Sequence, residues 1–426
     1  MEKMKILIKG GRLIDPANNR DEVCDILVED CKIAKIGAIK NGADTVIDAS
    51  GKIVLPGLVD MHVHLREPGR EDKETIESGT RAALRGGVTS VLAMPNTDPC
   101  PDSVEHLALI KELAKTSAQA NVFLCAAITL ERQGKEVVDA EKLKNAGAIA
   151  LSDDGASVDS DVIMLEAFKK AKAAGLCIIC HSEDKALSAQ GVVNLGLTST
   201  RLGLRGVSRE SEYKRVERDI ELAQRAGCLV HIAHVSCAES VEIIAKAKKK
   251  GIKVSAETAP HYFTFSEEAV LGYDTNFKMN PPLRAKSDVL AIKQGLSDGT
   301  IDAIASDHAP HTENEKEIEF ERAEFGVIGL QTALAAGITE LVEAKILTLA
   351  ELTEKLAVNP AKILGINKGT LSAGADADIA VISPDKVWTV KKGELVSKSK
   401  NSPFIGRTLK GTVEYTICGG KIVYQA

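Results

Sequence analysis

Eight apolar segments follow one another through the middle of this 426-residue chain, and each runs into polar residues at its end. They read VLPGLVDMHVHL, TSVLAMPN, NVFLCAAIT, AIALSDDG, LCIICHSED, LVHIAHVS, KVSAETAPH and IDAIASDHAP. Near-continuous apolar runs of this length fit strands covered on both faces. Lys-, Glu- and Ala-rich stretches such as EHLALIKELAKTSA, VIMLEAFKKAKAAG and SVEIIAKAKKKG lie between them. These read as helices, and two of the three end in Gly, which relieves the strain of a left-handed helix stop. Buried strands alternating with helices place parallel strands side by side, and eight of them close into an α/β (β/α)8 TIM barrel. No GxGxxG follows any of these strands, and RGG and CGG are not phosphate loops, so a flavin- or phosphate-binding barrel lacks support.

The two ends of the chain have a different texture. KILIKGGRLID, CDILVEDCKIAKIG and TVIDASGKIV near the start, with ADADIAVISP and GTVEYTICGGKIVYQA near the finish, read as short strands broken by turn residues. The expected organisation is one β-sandwich domain built from residues 1–54 plus 366–426, with the barrel on 55–365. Apolar residues at 44% suffice to bury cores of this size. The balance of 54 basic against 60 acidic residues leaves a small net charge of −6, which argues against a nucleic-acid or membrane-surface partner. The nine cysteines are an odd number, mostly inside apolar runs, and read as buried free thiols in a reducing compartment. Cys177 and Cys180 form a CxxC pair but sit within a predicted strand, so a thiol–zinc or redox motif is set aside. No run reaches the ~18 apolar residues of a membrane span, and MEKMKILIKGG lacks an apolar leader core. The expectation is a soluble cytoplasmic protein.

Function concentrates at the strand ends. They carry His62 and His64, Asn96, Asp153 and Asp154, His181, His234, His261, and Asp307 with His308 and His311. In a barrel these ends converge on one face, where active sites are built. His62 and His64 are two apart on a strand, so both point the same way and can grip one ion. A lone strand-end histidine is ordinarily a satisfied polar residue. Asp154, His181, His234 and Asp307 at four further strand ends turn the pair into a metal centre. Imidazole and carboxylate donors suit zinc and similar divalent ions. Four histidines and two carboxylates exceed the needs of one tetrahedral ion. One or two Zn2+ are expected, with two favoured.

GLVDMHVHLREPG, AMPNTDP, SDDG, HSED, HIAHVS, MNPPLR, SDHAPH and NSPFIGRTLKGTV together resemble the dihydroorotases of the amidohydrolase superfamily. The resemblance runs nearly the whole chain. HxH is specific only to the superfamily, whereas HLREPG with MNPPLR and DHAPH is much narrower. It implies reversible cyclisation of N-carbamoyl-L-aspartate to L-dihydroorotate plus water in pyrimidine biosynthesis, on a metal-dependent barrel with a terminal β-sandwich. It also implies that His62, His64 and Asp307 hold the more buried ion and His181 and His234 the second. Many relatives bridge the ions with a carboxylated lysine. ALSDDG has none, so the likeness is to the bacterial branch with an aspartate there. Asp154 sits at the matching position, and Asp153 is the alternative, with a helix-capping or supporting carboxylate as its plainer reading.

The implied chemistry is attack by a metal-bound hydroxide, with Asp307 as general acid and base for the ring nitrogen. The substrate carries a carboxylate, and Arg66, two past His64, shares that strand face and offers a guanidinium fork. By resemblance, His64, Asn96, Asn280 and His311 also contact substrate, and Phe325 and Gly326 of EFGVIG bring backbone groups to its ring. His308 reads as a supporting group, His261 and His231 as packed polar residues, and His106 as an exposed helix residue. Expected partners are the small-molecule substrate, a second copy in a homo-oligomer, and aspartate transcarbamoylase as a candidate companion. The rival readings are a sister cyclic amidohydrolase (dihydropyrimidinase, hydantoinase or allantoinase) and a non-catalytic partner of that transcarbamoylase. The missing bridging lysine and HLREPG oppose the first. The presence of all six ligand candidates opposes the second.

Overall fold

A computed structural model of the chain describes residues 5–40 and 43–426. Residues 1–4 and 41–42 of the expected terminal domain lie outside the described residues. All eight apolar segments form parallel strands, in the order they occur in the chain: Leu58–Val63, Val88–Ala93, Asn121–Ala126, Ala148–Leu151, Cys177–Cys180, Val230–Ile232, Val254–Thr258 and Ala303–Ile304. Helices such as Val104–Ser117, Asp161–Ala174 and Ala238–Lys249 occupy the crossovers. Ser103 and Ser160 cap the first two through their hydroxyls, and Gly175 ends the second at φ 69°, a conformation that a Cβ would oppose.

The barrel closes through a side chain. The last strand leaves the ladder after Ile304, and the Asp60 carboxylate accepts the Ser306 amide at 3.1 Å where a backbone carbonyl would otherwise serve. The His64 amide then donates to the His308 carbonyl at 2.9 Å, so first and eighth strands are joined at the end that carries the polar residues. The interior below this level is apolar, with Val59, Met61, Leu92, Met94, Ile179 and Ala305 in one cluster. Ala361 and Leu364 of the helix Asn359–Leu364 belong to that cluster and plug its lower end.

The two chain ends share one mixed eight-stranded sheet. Ile379–Thr389 pairs antiparallel with Ile53–Pro56, which runs parallel to Ile6–Asp15, so N- and C-terminal strands are hydrogen-bonded neighbours. Ile6, Ile8, Ile26, Ile33, Ile379 and Ile417 fill a core separate from the barrel's. The fold is therefore a TIM barrel with a β-sandwich domain drawn from both termini. All nine cysteines are free, and no helix among the described residues is long and apolar enough to cross a membrane.

Candidate metal centre and substrate pocket

The HVH segment reaches the barrel interior by an irregularity. Val59 and Met61 pack in the interior layer, so strict alternation would turn His62 outward. The register with the second strand shifts between Asp60 and Val63, and this re-aims the histidines. Their rings then stand edge-on with centroids 5.3 Å apart. His181 follows the fifth strand directly, whereas His234 and Asp307 lie just past the sixth and eighth strands at φ 36° and 47°. Non-glycine residues rarely adopt positive φ, and they concentrate where function fixes a side chain.

Asp154 is the hub. Its Oδ1 lies 3.4 Å from His62 Nε2, 3.5 Å from His181 Nδ1 and 3.6 Å from His234 Nε2, and its Oδ2 lies 3.5 Å from His64 Nε2. Two candidate ligand groups share it: His62, His64 and Asp154, and Asp154, His181 and His234. Asp307 Oδ1 joins the first at 3.2 Å from His64 Nε2 and 3.6 Å from His62 Nε2. Asp153 faces away. Its Oδ1 accepts the Ile128 and Thr129 amides at 2.8 and 3.2 Å, and its Oδ2 accepts the Thr129 hydroxyl at 2.5 Å.

These residues fit a divalent cation. His62 Nε2 and Asp154 Oδ1 are buried with no hydrogen-bond partner, a costly arrangement unless a third body sits between them. Donor separations of 3.2–3.6 Å match the roughly 3.3 Å between ligand atoms on a tetrahedron with ~2.0–2.1 Å bonds. The charge balance agrees. Burial alone would raise Asp154, yet the charge on His62 and the close approach of His181, His234 and His62 hold it well below the ordinary carboxylate range. Burial would likewise lower His181, yet Asp154 and Glu183 lift it to about 9. The carboxylates thus call for positive charge inside the cluster, which protons or a cation can supply.

Beside the cluster the structure gathers most of the expected substrate contacts. Asn96 Oδ1 lies 2.8 Å from His64 Nδ1. Arg66 donates through Nε to the Pro310 carbonyl at 3.2 Å, and its Nη2 lies 3.3 Å from His311 Nε2. The period-two argument for Arg66 is corrected, because the strand ends at Val63 and Arg66 itself has φ 63°. A left-handed turn, not strand parity, aims it inward. Asn280 comes from elsewhere in the barrel. It lies in the long segment after the seventh strand rather than at a strand end, and its Nδ2 donates to Glu183 Oε2 at 3.1 Å. Gly326 packs against His311, where an added Cβ would come 3.1 Å from Nε2. Its backbone does not present free groups as expected. The amide donates to the Lys278 carbonyl at 3.0 Å, and the carbonyl accepts from Lys316 Nζ and Asn401 Nδ2, both at 3.0 Å. The Phe325 ring lies 4.4 Å under the Lys278 ammonium.

The remaining histidines divide. His308 turns from the metal cluster, with Nε2 3.2 Å from Glu74 Oε2. His261 is buried, its Nε2 has no partner, and burial pushes its pKa down to about 4. His106 is only half-exposed, with Nδ1 3.0 Å from Asp102 Oδ1. His231 is more than a packed residue, because its Nε2 lies 3.3 Å from Glu257 Oε2 while Glu257 Oε1 lies 2.7 Å from His62 Nδ1. Glu257 went unnoticed in the sequence, although a lone carboxylate inside the buried strand VSAET signals a paired charge. Lys73, 3.0 Å from His311 Nδ1, gave no comparable signal.

Known proteins point in one direction. The dihydro-orotase-like family matches residues 51–240, and the amidohydrolase family matches residues 329–424. A dihydroorotase of Elusimicrobium minutum is 52% identical over 420 residues, covering 98% of this chain and 97% of its own. One of Pelotomaculum thermopropionicum is 52% identical over 423 residues, covering 99% of each. The L-hydantoinase (dihydropyrimidinase) from Arthrobacter aurescens superposes with a TM-score of 0.90 at 28% identity, over 99% of this chain and 96% of its own. The dihydropyrimidinase of Brevibacillus agri shares the fold with a TM-score of 0.86 at 24% identity, over 99% of this chain and 95% of its own.

Proposed function

The chain belongs to the dihydroorotase family of the amidohydrolase superfamily, and we propose that its strand-end cluster interconverts N-carbamoyl-L-aspartate and L-dihydroorotate. The observation that carries this reading is Asp154. One carboxylate faces four imidazole nitrogens from three different barrel segments, at the position where the sequence has no lysine to carboxylate. The sister reactions on other cyclic amides have weaker support, since the hydantoinase likeness is 28% identical against 52% for the dihydroorotases.

We assign Zn2+ as the ion and two as the occupancy. His62, His64 and Asp307 would hold one, His181 and His234 the other, with Asp154 between them. A bound divalent ion supplies Lewis acidity that acidifies water and polarises an amide carbonyl. The rest is the work of this chain's side chains. In ring opening, Asp307 accepts the proton of the attacking water at a carboxylate oxygen and returns it to the ring nitrogen as the C–N bond breaks. Ring closure runs the same transfers backwards. Burial alone would raise the Asp307 carboxyl, but hydrogen bonding to His64 and the charge on His62 hold it far below the ordinary range. Arg66 and His311 hold the substrate carboxylate, while Asn96 and Asn280 orient the ring amides. His64, fixed by Asn96, borders the same space.

The test is L-dihydroorotate consumption by the purified full-length chain, alone, after chelation, and after Zn2+ is restored. Activity that falls on chelation and returns with zinc, with about two ions bound per chain, supports the reading. Hydantoin or dihydrouracil turned over in preference to dihydroorotate would refute it.

A further inference from the structure

His311 is enclosed by two cations. Lys73 Nζ lies 3.0 Å from its Nδ1 and Arg66 Nη2 lies 3.3 Å from its Nε2. Lys73 and His311 are deep in the protein, 4% and 5% exposed, and Arg66 is partly buried beside them. Burial first, and then the charges of Arg66 and Lys73, keep the imidazole neutral. A neutral imidazole has one N–H and one acceptor nitrogen, whereas ammonium and guanidinium groups only donate. His311 therefore cannot accept from both neighbours.

The local contacts decide which nitrogen accepts. Glu315 Oε1 lies 2.9 Å from Lys73 Nζ and 2.7 Å from Arg70 Nη2, which holds the Lys73 ammonium in place and opposes the burial that lowers its pKa. The Lys73 backbone is held as well, since its carbonyl accepts the Ser399 hydroxyl at 2.6 Å. The opposite arrangement would need an acceptor for a proton on Nδ1. The nearest carboxylate oxygen, Glu315 Oε2, is 3.6 Å away and already accepts the Thr312 amide and hydroxyl, each at 3.0 Å. That distance is beyond hydrogen-bond reach.

We propose that Lys73 is a positioning residue for the reaction. By donating to Nδ1 it places the His311 proton on Nε2, so that His311 Nε2–H and the Arg66 guanidinium form two convergent donors for a substrate carboxylate. The Arg66–His311 contact is then a pair of donors awaiting a shared oxygen rather than a hydrogen bond. The proposal rests on the reading of His311 and Arg66 as substrate contacts, and it adds a device that sets their chemistry.

The test is the nitrogen spectrum of the 15N-histidine-labelled, zinc-loaded full chain, with the His311 signal assigned by its loss in His311→Asn. Protonated Nε2 and bare Nδ1 at His311 in the wild type are expected. In Lys73→Met the proton should move to Nδ1 or exchange between the two, and KM for dihydroorotate should rise about tenfold with kcat within about threefold. Lys73→Arg, which restores a cationic donor, should recover the wild-type tautomer and most of the affinity. A proton on Nδ1 in the wild type overturns the proposal without any variant. So does a Lys73→Met enzyme with unchanged tautomer and KM. An unchanged KM in His311→Asn would instead overturn the substrate reading beneath it, whichever nitrogen carries the proton.

Discussion

Glu257 Oε1 stands 2.7 Å from His62 Nδ1, and this contact determines which nitrogen of His62 faces the metal cluster. An ionised carboxylate only accepts, so it accepts the hydrogen bond from Nδ1–H and leaves Nε2 facing Asp154. Burial alone would raise Glu257, but the nearby His231 and the hydrogen bond from His62 bring it down to about 2, so it stays ionised. His231 is fixed in turn, with Nδ1 2.8 Å from Ser255 Oγ. A chain of Ser255, His231, Glu257 and His62 thus runs across neighbouring strands toward the site.

Replacing Glu257 by Gln keeps the shape but removes the charge that orients His62. Zinc affinity should fall about 10- to 100-fold, as measured by competition with a chromogenic chelator. Unchanged affinity would mean that the strand itself holds the ring.

The adjacent carboxylates should separate cleanly. Asp154→Ala removes the one residue shared by both ligand groups and should strip the metal and the activity together. Asp153→Ala should retain metal, because its oxygens are spent on Ile128 and Thr129, and should instead lower stability by about 1–3 kcal/mol through the donors it leaves unpaired. Metal analysis and thermal melting of the two proteins distinguish the roles. Metal lost from Asp153→Ala and kept by Asp154→Ala would reverse them.

The barrel was legible because eight buried strands leave eight apolar runs, and their polar ends mark one face whatever the helices between them do. His62, His64, Asp154, His181, His234 and Asp307 converge for that reason. What the sequence hid depends on local geometry. The irregularity between Asp60 and Val63 decides that the histidines face inward, and no residue there announces it. Arg66 reaches the site by a positive φ rather than by strand parity. The Asp60 closure and the Lys73–Glu315 support join segments more than 230 residues apart, a separation that a pattern-based reading does not span. Gly326 beside His311 has its backbone already committed, which no sequence pattern reveals.

Asp307→Asn preserves the size of the side chain but cannot accept and return a proton. The kcat for dihydroorotate should fall by about 10^2 to 10^4, with the melting temperature of the zinc-loaded protein little changed. Retention of more than about a tenth of the rate would assign the proton transfers to another group.

A final prediction concerns stability away from the metal. Glu212 is buried beside Arg284, whose Nη2 is 3.4 Å from Oε2, and Oε1 accepts the Ser236 and Cys237 amides at 3.0 and 3.3 Å. Burial alone would raise Glu212, but the Arg284 charge and the Ser236 hydrogen bonds hold it below the usual value of 4.5. A carboxyl with a depressed folded-state pKa binds its proton more readily when unfolded. Its contribution is therefore complete above about pH 4.5 and is lost as the pH falls through the lower folded value. Glu212→Gln leaves Arg284 buried without its counter-charge and should cost about 3–5 kcal/mol at pH 7. The gap between wild type and variant in urea midpoint should narrow steadily below about pH 4.5, because only the wild type has this carboxylate to protonate. A gap that stays constant from pH 7 down to pH 3 would show that packing, rather than charge, is what Glu212 provides.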